Sequence, residues 1–187
     1  MPVSQMKETY RALFKSYGEV TLDHQIKKLT ELDAYMPYNS TFFSLINTTK
    51  LSFDFMSKNF EVCIGINPQV MKAKGMAHFW SLIHPEDLKS YLEALQDMIA
   101  FTLKKIPLEE RKYMCYTHNY RIKNATGDYV QIIQNSTPLH FDEAGKPVIG
   151  MAHYTVLELG IEFPISATAK YMMDDNKFET VFTKNYG

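Results

Sequence analysis

The chain has 187 residues, 45% hydrophobic and 22% charged, a composition ordinary for a globular protein with one core and extensions. Twenty basic and 21 acidic residues leave a net charge of −1, and no basic block gives the electrostatic footprint of a nucleic-acid binder. Two cysteines, Cys63 and Cys115, neither in a CxxC, exclude a disulfide framework or a cysteine zinc site.

The N-terminal MPVSQMKETYRALF carries no signal-peptide core, and no apolar run approaches the roughly 20 residues a bilayer needs. A reducing, cytoplasmic location away from membranes is therefore expected. Val3, Met6, Tyr10, Leu13, Phe14 and Tyr17 recur at helical steps and predict a helix over 3–17, with Gly18 as its stop. Leu22, Ile26, Leu29 and Leu32 form the apolar face of a second helix, which MPYNS (36–40) breaks. TFFSLINTTKLSFDFMS (41–57) reads as two strands with a turn near Asn47–Lys50. Ser57 is positioned to cap a short helix, KNFEVCI, that Gly65 closes. Residues 66–80 predict short helical turns. Leu88, Tyr91, Leu92, Leu95, Met98, Ile99, Leu103 and Ile106 then mark one face of a long helix that Pro107 ends. A charged loop, LEERKY, leads into strand-like runs over 113–123, 129–141 and 148–157. NATGD and DEAGKP join these runs with turn chemistry, so two antiparallel hairpin connections are expected. A last hairpin is expected over 165–173 and 178–183, around DDNK.

The motif His84-Pro85-Glu86-Asp87 invites a catalytic or metal reading, but helix initiation accounts for all of it. His84 falls at the N-cap and Pro85 at the first helical position, where a missing N–H is harmless. Glu86 and Asp87 place negative charge at the positive end of the helix dipole. Asp87 is spaced to reach back to the His84 N–H, as in a capping box. Zinc ligands of the HExxH kind need a different spacing. The other histidines (His24, His78, His140 and His153) are scattered away from acids at ligand spacing, so no metal is expected. There is no GxSxG nucleophile elbow, and no catalytic residues are assigned.

LSFDFMSKNFEVCIG, FWSLIHPEDLKSYLEAL, HNYRIKNATGDYVQI and GKPVIGMAHYTV, in that order over 41–157, resemble a PAS domain. SLIHPEDL followed by YRIKNATGDYVQI is the specific part. The lead-in LDHQIKKLTELDAYMPYNSTFF is similar to that of bacterial PAS proteins in the LuxR-type transcriptional regulator group, especially from Bacteroidetes. The resemblance implies an α+β fold: a five-stranded antiparallel sheet with flanking helices around a small cavity, non-enzymatic, sensing small molecules, redox state or light, or mediating protein contacts. Three segments follow: an N-terminal helical extension (1–40), the PAS sensor domain (41–157) and a C-terminal β-like tail (158–187) leading to an output domain absent from this chain. DNA would be reached only through that output domain. The sequence departs from the family in places. Tyr154 stands where an acidic residue often ends the last strand. GINPQVM has Pro68 at the cysteine position of flavin photosensors, and residues 88–106 hold no histidine for a haem. Flavin and haem are therefore disfavoured, and the cofactor is unassigned.

Period-two alternation puts Met114, Tyr116, His118, Tyr120 and Ile122 on one face of their strand, the face expected to look inward. The family pattern implies that Ile132, Gln134 and Ser136 face the same way on the next strand, with Gly150 and Ala152 on the last. His118, Gln134 and Ser136 are the candidate polar groups of a mainly apolar ligand cavity, with Phe55, Trp80, Tyr120, Ile122, Ile132 and Ala152 as further lining. The alternative is an internally hydrogen-bonded histidine among plain core aromatics. The apolar stripes of the N-terminal helices must also be buried, either on the outer face of the sheet or against a second copy, so a homodimer is expected beside the small-molecule ligand. Two functional readings follow. One is a ligand-binding sensor; the other is a dimerisation module with a filled core. An enzyme on another fold would need a convergent acid–base or metal cluster, which the sequence does not supply.

Overall fold

In the computed structural model, which describes residues 22–157, 163–174 and 177–186, the strand-like stretches pair into one sheet. Its strands are β1 (Thr41–Asn47), β2 (Ser52–Met56), β3 (Met114–Lys123), β4 (Tyr129–Phe141), β5 (Pro147–Val156), β6 (Ile165–Met172) and β7 (Phe178–Tyr186). The spatial order is β2-β1-β5-β4-β3-β6-β7, and every neighbouring pair is antiparallel. The helices are α1 (Asp23–Tyr35), α2 (Asn59–Ile64), α3 (Pro68–Leu82) and α4 (Asp87–Lys105), followed by a 3-10 turn at Leu108–Tyr113. The helix expected over 3–17 lies outside the described residues.

The five strands of the expected sheet are present, and the C-terminal segment extends it. β6 pairs with β3 from Met114↔Tyr171 to His118↔Ala167, so the hairpin expected as a tail adds two strands to the same sheet. Asn119 fixes its start: the side-chain Oδ1 accepts from the Ser166 N–H at 2.9 Å, and Nδ2 donates to the Pro164 carbonyl at 3.1 Å.

Each face of the sheet has its own apolar layer. Inside, Phe42, Phe60, Phe79, Trp80, Tyr120 and Tyr154 form the largest cluster, between the strands and α2, α3 and α4. Outside, Phe43, Leu45, Phe55, Val148 and Ile149 form a second cluster, which Ile26 and Leu29 of α1 cover. Leu22 is thus buried and Ile26 and Leu29 partly buried against the sheet, while Leu32 of the same stripe stays exposed. A third cluster joins Ala94 and Met98 of α4 to Tyr116, Ala167, Ala169 and Tyr186 beneath the C-terminal hairpin.

Several local expectations are corrected. Ser57 does not cap α2; its hydroxyl accepts from the Phe43 N–H at 3.0 Å and ties the end of β2 to β1. Gly65 does close α2, at φ 76°. Residues 66–80 hold two short helical stretches that meet at a break at Gly75 (φ 68°, ψ −167°), close to the short turns expected. There the next N–H, from Met76, reaches the Leu51 carbonyl at 3.0 Å, and a Cβ on Gly75 would sit 2.9 Å from that oxygen. LEERKY is a 3-10 turn and not an open loop. Its Arg111 is buried and donates to the carbonyls of Leu103 and Ile106 at the end of α4, and to Gly145 in the β4–β5 turn. The guanidinium therefore satisfies carbonyls that a helix C-terminus leaves open.

Candidate functional site

His84-Pro85-Glu86-Asp87 leads into α4, but the helix begins at Asp87 with Glu86, not His84, at the cap position, and the bond pattern is not that of a capping box. The His84 carbonyl accepts from the Asp87 N–H at 2.9 Å, and the ring Nδ1 accepts from the Glu86 N–H at 3.3 Å. The Asp87 carboxylate does not reach back to His84, whose N–H donates instead to the Arg121 carbonyl. Asp87 reaches across to β3: it accepts from the Arg121 N–H at 2.7 Å and from the Arg121 guanidinium. The reason is topological. The pairing of β6 with β3 stops at His118, leaving the Arg121–Ile122 edge open, and Ile83 bridges to Ile122 there. Asp87 is buried, and its carboxylate holds the Arg121 guanidinium well above its ordinary range. The motif is an anchor that fixes the start of α4 against the sheet.

Beyond this anchor, α4 packs over β3 and the C-terminal hairpin of β6 and β7. Tyr91, Leu95, Met98 and Ile99, spaced along one face of the helix, form an apolar wall. Opposite them stand Tyr116 and His118 of β3, Gln134, Ser136 and Pro138 of β4, and Gly150 of β5, with Ile46 and Thr48 at the end of β1. Between wall and sheet lies a cleft of about 90 Å³. Its lining contains no Lys, Arg, Asp or Glu.

Most polar groups around this cleft are satisfied. The Tyr120 hydroxyl donates to Gln134 Oε1 at 2.7 Å, and Gln134 Nε2 donates to the Ser136 hydroxyl at 2.8 Å. The Tyr116 and Thr102 hydroxyls lie 2.8 Å apart. Burial pushes the Tyr116 phenol up to about 12, so it stays a hydroxyl at neutral pH. His118 differs. It is 4% exposed, it sits opposite Gln134 in the β3–β4 register, and neither ring nitrogen has a hydrogen-bond partner among the described residues. The ring lies between Tyr91 and Tyr120, with centroids 5.2 and 5.5 Å away. Burial alone holds its pKa down to about 4, so the imidazole is neutral at pH 7 and offers one donor and one acceptor. Among the described residues, internal hydrogen bonding, the ordinary explanation for a buried histidine, does not account for this one.

The structure brings only part of the expected residue set together. His118, Gln134 and Ser136 line the cleft. Trp80, Tyr120, Ile122, Ile132 and Ala152 face the same side but belong to the filled cluster beside it. Phe55 is on the other side of the sheet, stacked with Phe43 at 5.5 Å. Its displacement has a local cause. Phe53 pairs with Ile46 and faces inward, whereas Phe55 pairs with Leu45 and faces outward, because a bulge at Asp54 interrupts the alternation. Sequence reasoning missed the wall residues of α4 as lining. Their helical stripe was visible, but which part of the stripe would be left unfilled was not. Tyr154, the departure from the acidic pattern, is a core residue: it stacks on Phe42 at 4.4 Å, and its hydroxyl lies 3.2 Å from that of Ser44.

Thiol and metal chemistry find little to work with. Burial pushes the Cys63 thiol up to about 11 and raises that of Cys115, so neither is a reactive thiolate at neutral pH. Among the described residues, no group of three His, Cys, Asp or Glu side chains is placed to hold a metal ion. No helix among them is long and apolar enough to cross a membrane.

The sequence model of the PAS fold family (PAS_3: PAS fold) matches residues 53–152, and the chain belongs to that family. It is thus a PAS sensory domain, of the kind typical of signalling proteins. Similar solved structures include the N-terminal domain of a diguanylate cyclase with PAS/PAC sensor from Marinobacter aquaeolei (16% identity, 62% of this chain and 94% of that one, TM-score 0.48). A sensory box histidine kinase/response regulator from Burkholderia thailandensis is similar at 19% identity over 63% of this chain and 77% of that one, with a TM-score of 0.47. The PAS-B domain of Drosophila melanogaster Cycle with bound ethylene glycol is similar at 18% identity over 62% of this chain and 99% of that one, with a TM-score of 0.46. No curated protein matches the chain.

Proposed function

We propose that this PAS domain is a non-enzymatic sensor that binds a small molecule in the cleft beneath α4 and biases an output domain. The observation that carries this reading is His118: a buried imidazole with both nitrogens unpaired at the wall of a cleft. Leaving a buried polar group without a partner costs about 1–3 kcal/mol, and a bound molecule would remove that penalty. An occupant can act on the output only by favouring one of two states. Met98 and Tyr116 are placed to carry such a bias, because both line the cleft and both pack beneath the C-terminal hairpin.

The remaining parts of the reading are assigned on sequence grounds. The lead-in before β1 supports a bacterial regulator of the LuxR type, which would reach DNA through a separate output domain. The near-zero net charge supports a module that does not itself touch nucleic acid. Two unpaired cysteines suit a reducing cytoplasm. Homodimerisation is the second reading, favoured by Leu32, Tyr35 and Tyr38, which are 49%, 89% and 71% exposed at and just beyond the end of α1.

Native mass spectrometry of the purified chain against its denatured mass tests both. Extra mass that leaves on denaturation is the result expected of the sensor. A ligand-free mass at twice that of the chain would favour dimerisation as the function.

A further inference from the structure

Resting on the reading of the cleft as a ligand site, the geometry points to the chemistry of its occupant. We propose that the cleft selects a compact, uncharged, largely apolar molecule bearing one group that both donates and accepts a hydrogen bond, such as a primary amide, alcohol or azole. A carboxylate or an ammonium ion of the same shape is discriminated against.

Three observations carry this. The first is charge. The lining holds no Lys, Arg, Asp or Glu, and its one histidine, His118, is neutral at pH 7, so a charged ligand would enter a mainly apolar space without a counter-ion. Burying an unpaired charge is far more costly than burying a neutral polar group. The second is the pairing demand. His118 lines the cleft and has an N–H and a bare nitrogen, both buried and without a hydrogen-bond partner among the described residues. Gln134 and Ser136 next to it are already engaged with each other, and Gln134 with Tyr120. A carboxylate can accept from the ring N–H but has no proton for the bare nitrogen. An ammonium can donate to the bare nitrogen but cannot accept from the N–H. The two ring nitrogens point apart, so one ligand group meets one of them, and a neutral group with both capacities pairs with that nitrogen whichever tautomer the ring holds. The third is size. An engineered apolar cavity of about 150 Å³ holds benzene, so this smaller cleft, facing Tyr91, Leu95 and Met98, takes at most a ligand of about benzene's size, roughly six heavy atoms.

The test uses the whole chain at pH 7.5 and three probes of matched shape: isobutyramide, isobutyrate and isobutylammonium. Binding is followed by the ring nitrogen resonances of the histidines and by the methyl resonances of Leu95, Met98 and Ile99. Isobutyramide is expected to shift the His118 ring nitrogens and the cleft methyls, and to bind at least ten-fold more tightly than either ion. His118→Phe, of similar shape but with no ring nitrogen, is expected to weaken isobutyramide at least ten-fold. His118→Gln, which keeps a donor and an acceptor, is expected to stay within about three-fold; it also supplies the comparison should His118→Phe not fold. Isobutyrate or isobutylammonium binding as tightly as the amide would overturn the proposed class while leaving the cleft a ligand site. Amide binding that leaves the His118 ring unmoved would overturn the role given to that residue. If none of the three moves a cleft resonance at millimolar concentration, the cleft is not a ligand site for molecules of this size, and the sensor reading on which the proposal rests falls with it.

Discussion

Under α3, Phe42 stacks on Tyr154, Phe79 meets Phe53 edge-on at 5.5 Å, and Trp80 is wholly buried. The Tyr154 hydroxyl there lies within hydrogen-bond distance of Ser44. Under α4, a few residues along the same strands, the inner face leaves a cleft, and His118 beside it has two unpaired nitrogens. One sheet face thus has two halves with opposite habits. The first spends its surface on close packing, where each large buried side chain contributes roughly 1.5–3 kcal/mol. The second tolerates space and an unpaired polar group, at the expense of stability. A domain that must both fold and recognise something can separate these tasks along one face, because the packed half supplies the stability that the open half gives up.

The largest way to break this contrast is to empty the packed half. Trp80→Ala is expected to lose about 4 kcal/mol of unfolding free energy in urea titrations; a loss below about 1 kcal/mol would mean that this half is not the scaffold. Next, the roof of the open half can be loosened. Asp87→Ala leaves the Arg121 guanidinium and N–H without their buried partner. A loss of about 3 kcal/mol is expected, with earlier hydrogen exchange at the start of α4 than in the Trp80→Ala protein.

Acid sharpens the same comparison. The His118 pKa is lowered by burial from its ordinary 6.5 to about 4 in the folded protein, so the unfolded chain takes up the proton first. Stability is then fully present above about pH 6.5 and is lost as pH falls toward 4, by roughly 3 kcal/mol in total. No acidic side chain lines the cleft to oppose this. In His118→Phe the fall over that window is expected to shrink by that amount, as read from urea midpoints across pH. The smallest effects differ in sign. At pH 7.5, His118→Phe is expected to raise stability by about 1 kcal/mol, because it removes unpaired buried groups. Tyr154→Phe is expected to lower it by about 1 kcal/mol, because it leaves the Ser44 hydroxyl without its partner. Equal signs for these two variants would erase the distinction between the halves.

Much of this was readable in the sequence, for identifiable reasons. Period-two alternation on β3 placed Met114, Tyr116, His118, Tyr120 and Ile122 on the buried side, and all five are there. The turn chemistry of NATGD and DEAGKP set the β3–β4 and β4–β5 connections; Asn124 accepts from the Asp128 N–H and Asp142 from the Lys146 N–H, each closing its turn. The helical stripe from Leu88 to Ile106 set α4. Each of these signals is local, because backbone geometry fixes which side chains share a face within one element.

What only the tertiary structure decided lies between elements. Phe55 went to the outer layer because a bulge at Asp54 reversed its facing, and a bulge depends on the partner strand as much as on its own residues. Asp87 became the partner of Arg121 because β6 leaves that stretch of β3 unpaired. The C-terminal hairpin became part of the sheet because the edge of β3 was open to it. Above all, the sequence showed that His118 points inward, but not that both its nitrogens would lack partners. Whether a buried polar group is satisfied depends on side chains brought together from α4, β3, β4 and β5, and on the space left between them, which no single element encodes.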